Sequence, residues 1–367
     1  MRRVPFDVSD AAPHIMKSIR HSIIRAGLEA LYLSGAHRLL RSVFGGAGTI
    51  FMLHHVRPAH DDAFQPNRHL EITPEFLRVT LNHIRELDVD VIGLDEMHRR
   101  LTTGDLSRRF ACFTFDDGYR DNRDYALPVM REFEAPFAVY VAGDFACGHG
   151  RLWWVALERV IRNSDVIDAP IGGADTRIDA STPEAKAEAF ARLHEWLRGM
   201  PTDHEVASAV SDLCRRHQVD ETAIAPELCM SWHELKSFAA DPLVTIGAHT
   251  MSHCNLAHAT AENAEREMAM SRTVIQSKLA LPADHLAYPY GDRLAAAARD
   301  FAIAAKVGFK TAVTTRPGMI FAENAAHLTA LPRLSLNGNY QDERLLTVLT
   351  TGAATAVWNG FRRVDAA

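Results

Sequence analysis

The sequence lacks the features that mark secreted, membrane-spanning and nucleic-acid-binding chains. It has only 5 cysteines in 367 residues and no C-x-x-C pair, so we expect reduced thiols rather than a disulfide framework. No run of about 18 uncharged apolar residues occurs, so no spanning helix is expected. The net charge is −6 at pH 7, which gives no overall positive charge for nucleic acid.

The first residues also lack a secretory signal. Charged residues interrupt the apolar ones in MRRVPFDVSDAAPHIMKSIR, so no h-region forms, and we expect a cytoplasmic protein. Residues 13–45 have the pattern of one or two amphipathic helices interleaved with basic residues. We interpret them as packed on the rest of the protein or on a second copy, with attachment to the inner membrane surface as the alternative.

From residue 48 onward, apolar runs typical of buried parallel strands alternate with helical patterns. Thr73 is placed to cap a helix that begins at Pro74, and Ser231 and Glu234 have capping-box spacing. This order predicts an α/β sheet or barrel. The strand candidates are TIFMLHHV (49–56), VDVIGL (89–94), FACFTF (110–115), PFAVYVA (136–142), LVTIGAH (243–249), HLAYPY (285–290), FKTAVTT (309–315) and LPRLSL (331–336).

Residues 151–228 interrupt this alternation and are too long for an ordinary connection. They contain helical stretches over 185–200 and 204–217, which we interpret as a helical insertion or cap that lines a substrate groove. Aromatic side chains at a helix start belong to the core more often than to a ligand site. Three tryptophans are nevertheless candidates for stacking on sugar rings: Trp153, Trp154 and Trp232.

Polar side chains follow three of the predicted strands. In a β/α barrel the carboxyl ends of the strands converge on one face, where active sites form. The three clusters are therefore expected to meet in space. They are His54 and His55 after TIFML, Asp116 and Asp117 after FACFTF, and His249 and His253 in HTMSH after LVTIGA.

Two adjacent aspartates at the end of a buried strand need a cation or a shared proton, because their charges repel and burial is costly. His249 and His253 with one carboxylate form a two-histidine, one-carboxylate metal site with open positions. The other aspartate is then free to act as a general base. The alternative is that Asp116 or Asp117 caps the helix predicted in DNRDYALPVMREFE.

Three motifs in this order resemble those of the NodB-type polysaccharide deacetylases, carbohydrate esterase family four: TFDDG (114–118), HTMSH (249–253) and AYPYGD (287–292). The resemblance implies a distorted (β/α) barrel over residues 48–345, with an N-terminal helical arm (1–47), the helical insertion (151–228) and a C-terminal tail (346–367). It also implies metal-dependent removal of N- or O-acetyl groups from sugars.

The resemblance assigns a role to each motif residue. Asp116 matches the general base, and the backbone N–H of Tyr290 matches the oxyanion donor. The residues that match the family's metal ligands, usually of zinc, are Asp117, His249 and His253.

Two positions depart from the family pattern. Ala287 stands where the family has an arginine that orients the base, and Arg333 in LPRLSL is our candidate to substitute for it. The late Leu-x-His motif with the general acid is not evident. A subgroup that deacetylates poly-N-acetylglucosamine has instead an early YHRV-like motif whose histidine is the acid; in MLHHV, His54 matches that histidine and His55 the variable next position.

These features predict a hydrolase, dependent on Zn²⁺ or another divalent transition metal, that removes N-acetyl groups from an amino-sugar oligomer, polysaccharide or precursor. O-deacetylation is an alternative, because the same residues serve an ester. A catalytically silent carbohydrate-binding relative is another. The missing arginine favours it, whereas the complete set of two aspartates and two histidines argues against it.

Overall fold

The computed structural model describes residues 13–171 and 175–363. Their contacts divide the chain into two units. The first contains the described residues up to Gly27, Asp61–Asn67 and Trp153–Glu221, and the second contains Leu28–His60, Arg68–Leu152 and the described residues from Thr222 onward.

The strands and helices follow the predicted alternation. The strands are β1 (Gly48–Leu53), β2 (His55–Val56), β3 (Glu71–Ile72), β4 (Asp90–Val91), β5 (Phe110–Phe115), β6 (Phe137–Val141), β7 (Val166–Ala169), β8 (Thr176–Asp179), β9 (Val244–Ala248), β10 (His285–Ala287), β11 (Thr311–Pro317) and β12 (Leu331–Ser335). The α-helices are α1 (Pro13–Leu33), α2 (Ala36–Phe44), α3 (Pro74–Glu86), α4 (Leu94–Thr103), α5 (Leu127–Glu132), α6 (Gly143–Ala146), α7 (Trp153–Arg162), α8 (Pro183–Arg198), α9 (Asp203–Arg216), α10 (Ile224–Leu228), α11 (Trp232–Phe238), α12 (Ala261–Leu279), α13 (Ala298–Val307), α14 (Glu343–Thr350) and α15 (Ala353–Trp358).

Seven parallel strands close a barrel in the second unit, in the order β1-β12-β11-β10-β9-β6-β5. The closing pair is β1 with β5, in continuous register from Gly48 opposite Phe110 to Leu53 opposite Phe115. The short strand β4 adds to the start of β5. The predicted (β/α) barrel is therefore confirmed, and the carboxyl ends of all seven strands lie on one face.

Alternate residues of the strands enter two different apolar clusters. Phe113 and Phe137 belong to a cluster that includes Leu81 of α3 and Met268 of α12, so these side chains point outward to the helices. Cys112 belongs to a second cluster with other residues from the opposite face of the strands. Burial on both faces explains why the strands have near-continuous apolar sequences.

Local signals set several element boundaries. Thr73 caps α3 ahead of Pro74, and Ser231 and Glu234 form the predicted capping box at the start of α11. Two strand predictions were too long. VDVIGL forms only a two-residue strand because α4 already begins at Leu94.

The HLAYPY strand ends early as well, at Ala287. Pro289 has no N–H to offer to a sheet. Tyr290 and Gly291 then adopt positive φ, which takes the chain out of the strand direction.

The N-terminal segment forms the two predicted helices, α1 and α2. Within the second unit, α2 packs against α15 and buries His37, whereas Leu33 and Leu39 are exposed. None of the described helices is both long and apolar enough to cross a bilayer. Attachment of this segment to a membrane surface or to a second copy stays a prediction.

The predicted helical insertion contains α7, α8 and α9, but also an antiparallel hairpin, β7 with β8, that the sequence analysis missed. Trp153 and Trp154 are only 8% and 7% exposed. This burial supports the interpretation that both tryptophans belong to the core and do not stack on sugar rings. Trp232, at the start of α11, is partly buried and donates its indole N–H to the sulfur of Cys147 at 3.2 Å.

Candidate active site

The barrel brings the three polar clusters to its carboxyl face. His54 follows β1, Asp116 and Asp117 follow β5, and His249 follows β9. Asp116 and Asp117 do not cap the following helix; the residue before that segment is Asp121, and its side chain makes no capping bond. The capping alternative is therefore wrong.

Asp116 is bound at two points by the arginine of β12. Nη1 and Nη2 of Arg333 donate to Oδ1 and Oδ2 of Asp116, each at 2.7 Å. Arg333 is itself fully buried, donates from Nε to the Thr314 carbonyl and from Nη1 to the Thr114 hydroxyl, and lies 5.9 Å from the Tyr140 ring centroid. Burial alone would raise the pKa of Asp116, but the charge and hydrogen bonds of Arg333 lower it, so Asp116 is ionised.

Asp117 has different surroundings from its neighbour. Its Oδ1 is buried without a hydrogen-bond partner among the described residues, and it faces Nε2 of His253 at 3.3 Å and Nε2 of His249 at 3.6 Å. Burial would raise the pKa of Asp117, but the neighbouring imidazoles hold it below its usual range. A buried carboxylate oxygen that has no hydrogen-bond partner within the described residues and lies beside two imidazole nitrogens is an arrangement that a cation completes.

The tautomer of His249 fits metal binding. Its Nδ1 lies 2.7 Å from the carbonyl oxygen of Ala287, and a carbonyl only accepts, so Nδ1 carries the proton and Nε2 presents a lone pair. Burial lowers the pKa of His249 to about 4, so the ring is neutral at neutral pH. One donor atom from each of Asp117, His249 and His253 lies within 4.8 Å of the others. These residues fit a divalent transition metal with histidine and carboxylate ligands.

The site is built on strained backbone. Asp117, Thr250, His253 and Tyr290 all have φ between 57° and 72°, a region that side chains other than glycine seldom occupy and that costs of order 1–3 kcal/mol each. Two of the four are candidate ligands. The surrounding barrel therefore holds the ligand loops in conformations that they would not adopt alone.

Glu267 of α12 fixes the loop between the two histidines, and the sequence analysis did not identify it. Its Oε2 accepts hydrogen bonds from the backbone N–H of Met251 and of Ser252, both at 2.9 Å. A side chain outside the motif thus sets the path of HTMSH between the candidate ligands. No local pattern in the sequence indicates this contact.

His54 and His55 occupy different positions relative to the aspartates. Nε2 of His54 lies 3.9 Å from Oδ2 of Asp116, whereas Nδ1 of His55 lies 2.5 Å from Oδ2 of Asp121. The pKa of His54 is lowered, chiefly by burial, so its ring is neutral at neutral pH. Only His54 therefore reaches the candidate base.

The turn that carries these histidines is held by the end of the DDGYRDN stretch, which the sequence analysis did not assign. Asp121 Oδ1 accepts from the N–H of Val56 at 3.2 Å, and Asn122 Nδ2 donates to the His54 carbonyl at 2.7 Å. The His55 ring stacks on Tyr119, with centroids 3.6 Å apart. The proximity of Asp121 and Asn122 to Asp116 in the sequence was the available signal.

Tyr290 lies beside the candidate ligands. Its ring packs on His253 with centroids 5.1 Å apart, and Thr315 Oγ1 donates to its carbonyl at 2.6 Å. Its backbone N–H matches the oxyanion donor of the family that the motifs resemble, and that role stays a prediction. The same holds for the catalytic roles of Asp116, His54 and Arg333 and for the metal roles of Asp117, His249 and His253.

Comparison with protein families supports this interpretation of the motifs. Residues 199–312 match the polysaccharide deacetylase family, a range that includes HTMSH and AYPYGD. No curated protein matches the chain. The resemblance predicted from the motifs is confirmed, whereas assignment to the subgroup with the early histidine motif stays a prediction.

Solved structures with this fold include a deacetylase, PplD, from Streptococcus pyogenes, in complex with acetate. It is 18% identical, with 82% of this chain and 97% of that chain covered and a TM-score of 0.53. BC0361, a polysaccharide deacetylase from Bacillus cereus, is 15% identical, with 82% and 68% covered and a TM-score of 0.51. IcaB from Ammonifex degensii is 15% identical, with 83% and 98% covered and a TM-score of 0.50. At these identities the likeness shows the fold.

Proposed function

We propose that this relative of the polysaccharide deacetylases is a metal-dependent hydrolase that removes N-acetyl groups from amino sugars. The contrast between two adjacent aspartates carries the proposal. Asp116 has both oxygens bonded to Arg333, whereas Asp117 has a buried oxygen without a partner among the described residues, opposite His249 and His253. One carboxylate is thus suited to proton transfer and the other to a cation.

Asp117, His249 and His253 would hold the metal. A bound Zn²⁺ or similar ion supplies Lewis acidity, which polarises the acetyl carbonyl and lowers the pKa of water. Because Nδ1 of His249 is committed to the Ala287 carbonyl, this ring offers Nε2 and does not rotate freely. Such support of a ligand by a backbone carbonyl is common in metal sites.

Asp116 acts as the general base. It is ionised because of Arg333, and the two hydrogen bonds fix the carboxylate in the orientation in which it accepts a proton from the attacking water. The negative charge that develops on the acetyl oxygen is stabilised by the backbone N–H of Tyr290, a contribution of about 3–4 kcal/mol for a well-placed donor.

His54 delivers the proton to the leaving amine. It is neutral at rest, since burial lowers its pKa, so it acquires the proton during the reaction. Asp116 takes the proton from the attacking water and passes it to Nε2 of His54, which lies 3.9 Å from Oδ2 of Asp116. His54 then gives this proton to the nitrogen of the leaving amine. The products are acetate and the free amino sugar, and Asp116 returns to its ionised form.

The substrate in this proposal is a chitooligosaccharide, a poly-N-acetylglucosamine-like polysaccharide or a precursor of one. The test is acetate release from an N-acetylglucosamine tetramer by protein stripped with a chelator and resupplied with zinc. Acetylated xylan serves as the ester in parallel. Asp116→Asn is assayed beside Asp124→Asn, an exposed aspartate of the same segment.

We expect zinc to restore release by the unaltered protein and by Asp124→Asn but not by Asp116→Asn. Release from the ester alone would replace N-deacetylation by O-deacetylation. No release from either substrate by protein with bound metal would contradict the proposal and favour a silent carbohydrate-binding relative.

A further inference from the structure

A cavity of about 490 Å³ lies at the carboxyl end of β11, on the face of the barrel that carries the candidate active site. Its lining includes the end of the AYPYGD motif, the end of β11 and the segment after α15. The charged residues among them are Arg293, Arg316, Arg362 and Asp292. Three positive charges face one negative charge, in a chain whose net charge is −6.

The cavity is joined to the active site by direct contacts. Thr315, in the cavity wall, donates from its backbone N–H to the Gly291 carbonyl at 3.0 Å and from its hydroxyl to the Tyr290 carbonyl at 2.6 Å. The Tyr290 ring in turn packs on His253. A Cβ on Gly291 would lie 2.7 Å from the Thr315 nitrogen, so only glycine allows this approach. The cavity wall therefore contacts the proposed oxyanion donor through Thr315, and its nearest residue along the chain is Asp292, two positions after Tyr290.

The three arginines differ in how they are held. Arg316 is buried, donates from Nη2 to the Ala296 carbonyl at 2.9 Å and lies 5.2 Å from the Phe301 ring centroid, so it is a fixed charge in the wall. Arg293 and Arg362 are exposed. The structure records no side-chain partner for Arg362 within residues 13–171 and 175–363.

The outer wall offers an aromatic face. Trp358, the last residue of α15, is 53% exposed and borders the cavity. Its neighbour Asn359 donates to the Pro317 carbonyl at 2.7 Å, which ties this wall to the end of β11. An exposed indole beside guanidinium groups is suited to a sugar ring that carries a negative group, because the ring stacks while the anion pairs with arginine.

We propose that this cavity binds an anionic group, a carboxylate or a phosphate, carried by the acetylated saccharide on a residue next to the one that is deacetylated. The proposal rests on the proposed function for the identity of the saccharide. It adds to that function a preference, among acetylated saccharides, for those that carry a negative charge beside the residue that is deacetylated.

The test measures binding, so that it does not depend on turnover. Titration calorimetry with the Asp116→Asn protein compares a tetrasaccharide of alternating N-acetylglucosamine and glucuronate with the neutral N-acetylglucosamine tetramer. A second comparison, N-acetylglucosamine 1-phosphate against N-acetylglucosamine, distinguishes phosphate from carboxylate. The variant pair is Arg293→Gln/Arg362→Gln, and the control is Arg266→Gln, an exposed arginine of α12 that does not line the cavity.

We expect at least one charged probe to bind about tenfold more tightly than its neutral counterpart at low salt, and the double variant to remove that advantage. The double variant should bind the neutral probes within about twofold of the parent protein, because these probes carry no charge that could pair with the arginines. Arg266→Gln should bind all probes within about twofold, because it keeps every cavity charge. Equal affinity for charged and neutral probes, or an equal loss for both in the double variant, would overturn the proposal. If the protein prefers the charged probes but releases no acetate, the cavity still binds anionic saccharides and only the proposed deacetylase function is wrong.

Discussion

Arg333 on β12 and Asp116 after β5 form a buried ion pair through two hydrogen bonds of 2.7 Å. In the sheet, β1 lies between these two strands, so the pair joins strands that are not hydrogen-bonded to each other. This arginine reaches the same carboxylate that, in the resemblance, is oriented by an arginine at the position of Ala287. Orientation of the base is therefore available from a different strand.

The pair makes a prediction about stability and turnover together. Arg333→Met should leave Asp116 buried without its partner and lower the free energy of unfolding by about 3–5 kcal/mol, with loss of turnover. The readouts are urea unfolding and acetate release.

A double variant separates pairing from packing. Arg333→Met/Asp116→Asn removes the buried charge, so part of the lost stability should return while turnover stays absent. If the two single variants are additive in unfolding free energy, the pair does not have the coupling assigned to it.

Asp121 should act as a positioning residue for His54. Asp121→Asn removes the charge opposite His55 and weakens the hold on the turn that carries both histidines. We expect kcat to fall about tenfold, less than the roughly 100- to 10,000-fold that general acid–base catalysis contributes, because His54 is still present and only its positioning is weakened. Metal content should be unchanged. Asp124→Asn is the control because Asp124 lies on the same segment and is exposed. If Asp121→Asn loses its metal, or if its kcat equals that of the control, Asp121 does not act by positioning His54.

Glu267 should control metal affinity from outside the ligand set. Glu267→Ala removes the acceptor of the Met251 and Ser252 amides, and we expect metal affinity to fall about 10–100-fold, as for other supporting contacts of metal sites. Competition against a chelator measures this affinity.

The matched variants for that measurement are on the same helix. Glu267→Gln keeps an acceptor oxygen and should lose less affinity than Glu267→Ala. Glu265→Ala, which removes a surface contact with Lys306, should lose none. Equal affinities in all three would show that the loop needs no support from α12.

The sequence predicted the parts of the structure that depend on local pattern. Apolar runs located the barrel strands, and the order of the motifs located Asp116, Asp117, His249 and His253. It predicted that the three polar clusters meet, but it did not predict which further side chains support them, such as Asp121 with His55, 66 residues apart. Alternation and spacing report only on neighbours along the chain. The β7–β8 hairpin was missed because its strands are only four residues each within a mostly helical segment.

The central claim is that adjacent aspartates have separate tasks, Asp116 in proton transfer and Asp117 in metal binding. Metal content and acetate release, measured together on Asp116→Asn and Asp117→Ala, test it most directly. We predict that Asp116→Asn keeps about one metal ion per chain and loses turnover, whereas Asp117→Ala loses both. Near-normal turnover in Asp116→Asn, or full metal content in Asp117→Ala, would contradict the account.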